Sequence, residues 1–296
     1  MRILAVNAGS SSLKLSLIDD GDVLVASEDV SVADTRDADA STRRLIDTHG
    51  PVDAVGHRIV HGGTEFAEPV LLDRDTEKRI RALTDLAPLH QPKSLHGVDM
   101  VARLLPETPA VACFDTAFHA RMPAAAATYA LPVEWRERWS LRRFGFHGLS
   151  HEWASNRAAV LLRQPITTLR VVTCHLGAGA SLCAVDRGQS ADTTMGFTPL
   201  EGLVMATRSG SVDPGLVLWL LQHAQLSAAD LSASLEDRSG LMALAGNADM
   251  RDVLRRAADD EVRAMLALDV YVHRLRSAIA SMVAAMDAIA VRNRCT

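Results

Sequence analysis

The sequence predicts an α/β protein of two lobes. Three observations predict it: a β-meander opens the chain, the same meander returns near residue 170, and segments with helical spacing fill the stretch behind each copy. At 296 residues and 48% hydrophobic side chains, the chain can fill two cores by burial, without disulfide or metal staples. A net charge of −5 gives no general attraction for nucleic acid or an anionic membrane, so neither is expected as a partner and any anion must be held by a local site. The first apolar run, residues 3–6, is too short for the core of a signal peptide, and no run approaches a membrane span; the expected location is the cytoplasm. Cys113, Cys174, Cys183 and Cys295 form no C-x-x-C pair, as expected of reduced thiols rather than a disulfide framework or zinc site.

Taken in order, residues 3–6 and 13–18 read as strands joined by the Gly/Ser turn 7–12, and 23–27 follows as a third strand after the turn Asp19-Asp20-Gly21-Asp22. Helices are expected over 75–86 and 94–105, a short strand over 110–114, and a helix over 150–162 that Ser150 begins and Pro165 bounds. The second meander has a strand at 170–174, the turn His175-Leu176-Gly177-Ala178-Gly179-Ala180, a strand at 181–185 and the turn Asp186-Arg187-Gly188. Helical spacing then covers 213–222, 228–236, 250–258 and the long stretch 261–286, where Leu268, Tyr271, Leu275, Ile279, Met282 and Met286 recur every three or four residues as core contacts rather than cofactor contacts. Residues 287–291 read as a last strand. Each meander opens one lobe, with residues 1–150 as the first, residues 151–296 as the second and a cleft between them.

Several segments carry chemistry. Asn7-Ala8-Gly9-Ser10-Ser11-Ser12-Leu13-Lys14 offers backbone N–H groups, three hydroxyls and an ammonium, the equipment for cradling a phosphate. It lacks the Walker spacing, and alone it would equally suit a solvated hairpin turn with a surface lysine. Its place directly after the first strand and its echo at 175–180 favour a site. Gly56-His57-Arg58-Ile59-Val60-His61-Gly62-Gly63, Phe114-Asp115-Thr116-Ala117-Phe118-His119 and Arg143-Phe144-Gly145-Phe146-His147-Gly148-Leu149-Ser150-His151 each mix charged or imidazole groups with glycine and apolar residues. That composition suits neither a plain core nor a plain surface.

With Ala87-Pro88-Leu89-His90 and the run from Thr198-Pro199 through Glu201-Gly202 to Arg208-Ser209-Gly210, these segments make six motifs in one order, and on them the chain resembles the acetate kinases from residue 7 to about 291. The resemblance implies the duplicated, ribonuclease H-like fold shared with actin, sugar kinases and heat-shock ATPases, which accounts for the repeated meander. It implies ATP as co-substrate with Mg2+ or Mn2+, acetate as acceptor and propionate as the next acid admitted, acetyl phosphate as product, and a homodimer. Arg58 and Arg208 would flank the transferring phosphoryl group and His147 would donate a hydrogen bond to it, since fixed cations and a neutral donor stabilise charge spread over equatorial oxygens. The alternative for the arginines is weak surface pairing. Asp115 has a proton-transfer role in the family, but a carboxylate substrate is already ionised at neutral pH. Asp115 is therefore expected to orient an arginine or a metal-bound water, with a helix N-cap as the alternative. Asn7 would lie close to the metal, Lys14, Ser10 and Ser12 near the phosphates, and Val60, Leu89, Phe146 and Pro199 around the substrate methyl group, although each of these four would also serve as a core residue.

On the nucleotide side the resemblance assigns His175, Leu176, Gly177, Ala178 and Gly179 to the phosphates and Asp249, Met250 and Arg251 to a further ATP contact. Here the chain departs from the family: Ala178 stands for an asparagine, Met250 for a phenylalanine, and Gln91 and Lys93 are changed near the expected substrate entrance. After residue 291 the family has a Gly-rich turn, a magnesium-supporting glutamate and a terminal helix, where this chain has Arg292-Asn293-Arg294-Cys295-Thr296. That ending resembles a truncation and leaves two expectations: a phosphotransferase with low or no turnover, or an inactive remnant that binds a small carboxylate or phosphate. A sugar or butyrate kinase of the same fold is disfavoured by the short apolar pocket and by Arg58 close to Val60.

Overall fold

A computed structural model describes residues 1–9, 12–31 and 35–286. The chain divides into two compact units, Met1–Ala120 and Arg121–Thr296. The expected strand at 287–291 lies outside the described residues.

The first unit begins as the expected meander, β1 (Ile3–Ala8), β2 (Ser12–Asp19) and β3 (Val23–Ser31). Helix α1 (Thr35–His49) leads to β4 (Ala54–Ile59), then β5 (Val70–Leu71), α2 (Arg74–Ala82), a 3₁₀ turn at Thr84–Leu86, α3 (Gln91–Leu104) and β6 (Ala110–Phe114). The strands form one sheet in the order β3-β2-β1-β4-β6-β5, with β1 parallel to β4 and β4 parallel to β6. Period-two alternation sorts its faces. Leu4, Val6, Ala8, Leu13, Leu15 and Leu17 are buried against Ala38 and Leu45 of α1 and Met100 and Val101 of α3. Further along, Ile59, Ala112 and Phe114 pack with Ile80 of α2 and Leu95 and Val98 of α3. The opposite face carries an in-register polar row, Asp29, Lys14, Asn7 and Arg58, one residue from each of four adjacent strands.

The second unit holds two short helices, α4 (Ala124–Ala127) and α5 (Val133–Trp139), then α6 (Gly148–Leu162) and the second meander, β7 (Arg170–Leu176), β8 (Ala180–Asp186) and β9 (Gln189–Thr193). The turn between β8 and β9 is the two-residue Arg187-Gly188, both at positive φ, the geometry that matches the twist of a hairpin. β8 is buried through nearly its whole length, with α6 packed on β7 and α11 on β8. Five helices follow: α7 (Pro214–His223), α8 (Ala228–Asp237), α9 (Gly240–Ala245), α10 (Met250–Ala258) and α11 (Val262–Ala285). Asp213, Ser227 and Asp249 accept backbone N–H bonds as side-chain N-caps of α7, α8 and α10.

The division at Ala120 falls well before the expected border at 150, and the reason is local. The Arg143 guanidinium donates to the carbonyls of Thr193, Thr194 and Met195, and to Glu201 Oε1 at 2.8 Å. Tyr129 Oη donates to Glu201 Oε2 at 2.9 Å and accepts the Phe197 N–H, while the Phe144 and Gly145 N–H groups both donate to the Gly196 carbonyl. These bonds fasten the segment ahead of α6 to the loop behind β9.

Candidate active site

In the first unit the site is built at the carboxyl ends of parallel strands. Arg58, near the end of β4, is in register with Asn7 of β1 on one side and Cys113 of β6 on the other. One residue past β6, Asp115 donates its backbone N–H to the Ile59 carbonyl at 2.9 Å, which holds its side chain beside β4. The Arg58 fork then closes on it: Nε donates to Oδ1 at 2.9 Å and Nη2 to Oδ2 at 2.5 Å, while Nη1 donates to Asn7 Oδ1 at 2.9 Å. The Asp115 side chain is 2% exposed and that of Arg58 26%, and the carboxylate charge raises the pKa of Arg58 above its ordinary value. A guanidinium has five N–H donors. Among the described residues three are spent in these bonds, which leaves two.

Asp115 therefore orients an arginine. It does not cap the turn that follows, where Thr116 holds the cap position with no side-chain bond. Lys14 shares the face of Asn7 and Arg58, with its ammonium 3.8 Å from Asp29 in a pair whose members are both more than half exposed, too weak to hold it there. The Ser12 carbonyl accepts the Gly9 N–H at 2.8 Å and closes the turn; Ser10 lies outside the described residues. Val60 is buried whereas Leu89 is half exposed. Gln91 is fully buried and braces the end of β4: its amide donates to the carbonyls of His61 and Ile80 and accepts the His61 N–H. It does not stand at an entrance.

In the second unit the site gathers around the turn between β7 and β8. His175 and Leu176, expected in the turn, are the last residues of β7, paired with Ser181 and Ala180; the turn proper is Gly177-Ala178-Gly179. Extending the ladder spends the backbone of 175 and 176 on β pairing and leaves Gly179 at the open end. The Ala178 carbonyl accepts the Ala206 N–H at 3.1 Å, which ties the turn to the segment that carries Arg208. A Cβ at Gly179 would lie 3.3 Å from Arg208 Nη1 and 3.5 Å from His147 Nε2. Two nitrogens thus approach one point where Gly179 has no side chain, a geometry that suits an oxyanion.

Each nitrogen is held from behind. Arg208 Nε lies 3.1 Å from Glu236 Oε2, both side chains mostly buried, and Nη1 donates to the Pro199 carbonyl at 3.2 Å. Burial raises the pKa of Glu236, against the opposing pull of Arg208. His147 occupies the left-handed region at φ 59°, directly before α6, with its Nδ1 2.8 Å from Ser181 Oγ. Its ring stacks on His175 with centroids 4.0 Å apart, and His175 Nδ1 is 2.9 Å from Ser150 Oγ. Phe146 is buried beside this turn of chain and Pro199 is buried as well.

Asp249 accepts the Arg251 N–H as the cap of α10 and pairs with the exposed Arg251 guanidinium, which together lower the carboxyl pKa. Met250 packs against the core of α9, α10 and α11 that includes Leu241 and Val253, filling space as a flexible thioether can. Among the described residues, no group of three or more His, Cys, Asp and Glu side chains is placed to hold a metal ion, and no helix is long and apolar enough to cross a membrane. Glu236, Ser181 and Thr173 were given no role by sequence, because each meets its partner across long separations.

A sequence model described as the Acetokinase family matches residues 25–291. The acetate kinase of Nostoc punctiforme is 47% identical over 247 residues, 83% of this chain and 61% of that protein. The acetate kinase of Acetivibrio thermocellus is 40% identical over 323 aligned positions, 98% of this chain and 81% of that protein. Among solved structures, a propionate kinase from Francisella tularensis superposes with a TM-score of 0.89 at 35% identity, covering 96% of this chain and 80% of that one. Porphyromonas gingivalis acetate kinase gives 0.86 at 32%, covering 97% and 80%.

Proposed function

Because the chain belongs to the acetokinase family, we propose that it transfers the γ-phosphoryl group of ATP to the carboxylate of acetate, forming acetyl phosphate and ADP. One observation carries the proposal: Arg208 Nη1 and His147 Nε2 approach the same point above Gly179. A carboxylate oxygen forms the new bond to phosphorus, the bond from phosphorus to the ADP oxygen breaks, and no proton needs to move at neutral pH. Asp115 is then no general base, in keeping with both its oxygens being given to Arg58. Arg58 keeps two N–H donors for the oxygens of acetate or of the transferring group, in the planar geometry that suits either. In the second unit the Gly179 seat receives phosphate oxygens, with Arg208 supplying charge and His147 a hydrogen. Asp249, Met250 and Arg251 belong to the nucleotide side of the same proposal.

Magnesium, or manganese, enters as part of the nucleotide substrate. Asn7 is the residue that would adjoin the metal: its carboxamide oxygen accepts from Arg58 Nη1 at 2.9 Å and keeps a second lone pair, which suits a Mg2+ that retains several waters and takes its other ligands from substrate phosphates. Propionate would be accepted less well than acetate, since one methylene changes discrimination by about 1–3 kcal/mol. A homodimer working in the cytoplasm, where ATP is available, completes the proposal.

The test is an assay on the purified 296-residue chain, in which ADP release is coupled to NADH oxidation and acetyl phosphate is trapped with hydroxylamine. Acetate-dependent formation of both products supports the proposal. Binding of acetate or phosphate with no turnover would favour the inactive carboxylate- or phosphate-binding alternative, and ADP release unaffected by acetate would overturn acyl phosphate synthesis.

A further inference from the structure

We propose that Ser181, His151 and Thr173 are positioning residues that set the tautomer of His147, so that its hydrogen sits on Nε2. This rests on the proposed role of His147 as donor to the phosphoryl group. The four side chains form a continuous line: His147 Nδ1 to Ser181 Oγ, Ser181 Oγ to His151 Nε2, and His151 Nδ1 to Thr173 Oγ1, each 2.8 Å. Ser181, His151 and Thr173 are all buried, so bulk water does not interrupt the line.

A hydroxyl has one hydrogen. Flanked by two ring nitrogens, Ser181 donates to one and accepts from the other, so the two rings present opposite faces to it: one an N–H, the other a lone pair. The line has two polarities. In one, Thr173 donates to His151 Nδ1, His151 Nε2–H donates to Ser181, and Ser181 donates to His147 Nδ1, which leaves the His147 hydrogen on Nε2. In the other, every bond reverses, Thr173 turns its hydrogen to the Cys183 carbonyl at 3.4 Å, and a neutral His147 presents a lone pair at Nε2. That 3.4 Å contact is long for a hydroxyl donor and gives the reversed polarity little. An oxyanion in the Gly179 seat favours the same polarity, because it accepts from an Nε2–H and is repelled by a lone pair. A doubly protonated ring would also donate, but it would set a second cation beside the Arg208 guanidinium.

Imidazole tautomers are read directly from two-bond proton–nitrogen correlation spectra of chain labelled with ¹⁵N-histidine, compared between variants without added anion and then with inorganic phosphate as the probe of the seat, with a His147→Asn variant to assign the signals. The expected result is a protonated Nε2 and bare Nδ1 at His147, with the same pattern at His151. Ser181→Ala should leave His151 largely as it is and return His147 to a mixture of tautomers. Thr173→Val keeps the shape of the side chain and removes only the first donor, so it should mix the tautomers of both rings even if Ser181→Ala folds poorly. In the turnover assay either variant should lower kcat about 10- to 100-fold, the range for losing an outer bond that orients an imidazole, with the acetate KM little changed. A His147 that is protonated on Nδ1 in the parent chain, or one whose Nε2–H survives both substitutions, would overturn the proposal. The spectra give their answer whether or not the chain turns over, so failure of the relay and failure of the functional assignment are told apart.

Discussion

Replacing Gly179 with alanine separates a binding seat from a packing requirement. Gly179 is not among the residues at positive φ, so an L-residue fits its backbone. The added methyl would stand 3.3 Å from Arg208 Nη1 and 3.5 Å from His147 Cε1 and Nε2. The two longer distances are ordinary contacts, and the shorter one meets the end of a side chain that can yield a few tenths of an ångström. The cost to folding should thus stay near about 1 kcal/mol, the low end of overpacking. Binding has no such latitude. An oxygen accepting from both nitrogens sits about 2.7–3.0 Å from each, in the volume the methyl takes. Losing even one hydrogen bond to a charged donor costs about 1.5–3 kcal/mol, or about 10- to 100-fold in affinity. Titration calorimetry with magnesium ADP and with inorganic phosphate, beside urea unfolding of the same samples, measures both effects. Affinities within about twofold of the parent, or a loss of stability well above 1 kcal/mol with affinity kept, would refute the seat.

Other perturbations test the first unit. Arg58→Ala should lower turnover by about 10²-fold or more, as when one transition-state donor is removed, whereas Lys93→Ala should change it little; equal effects would count against the assignment of Arg58. Gln91→Ala removes the amide that satisfies the His61 N–H and carbonyl and should cost about 3 kcal/mol in urea unfolding. If Gln91 faced the substrate, stability would hold and the acetate KM would rise instead. Burial lowers the pKa of both His57 and His61 from 6.5 to about 4. The unfolded chain therefore binds more protons between these values, and the stability is fully present above about pH 6.5 and lost as the pH falls toward 4. Each residue contributes a loss of about 3 kcal/mol over that window. A urea-stability profile that stays flat from about pH 7 to about 4.5 would exclude this.

The meander repeat was legible because strand alternation and turn residues are local signals, and the long α11 because its apolar spacing runs unbroken. β4 was not, since Gly56, His57 and Arg58 are poor strand formers, and the segment is extended because β1 and β6 pair with it on both sides. α1 was missed for a related reason: its helix is largely polar, and Ala38 and Leu45 are its buried apolar anchors. α3 starts ahead of the expected residue 94 because Pro92 falls in its first turn, where a missing N–H costs nothing. At the site, Arg58, Asp115, His147 and Arg208 stood out by motif. Glu236 could not, because a helix end carrying an acidic residue looks like any solvated helix until the fold brings Arg208 to it.

The fastening between Arg143, Tyr129 and Glu201 restricts how relatives of this chain can diverge. A side chain at Gly196 would run into Glu201 Oε2 and the Tyr129 hydroxyl. No single substitution there is neutral unless Glu201 has already been shortened, and shortening Glu201 first strands Arg143 and the Tyr129 hydroxyl without their carboxylate. Either first step costs stability, so the four positions should be inherited as a block. Chimaeras of acetokinases that exchange the segment ahead of α6 without the loop behind β9 should fail far more often than those that exchange both.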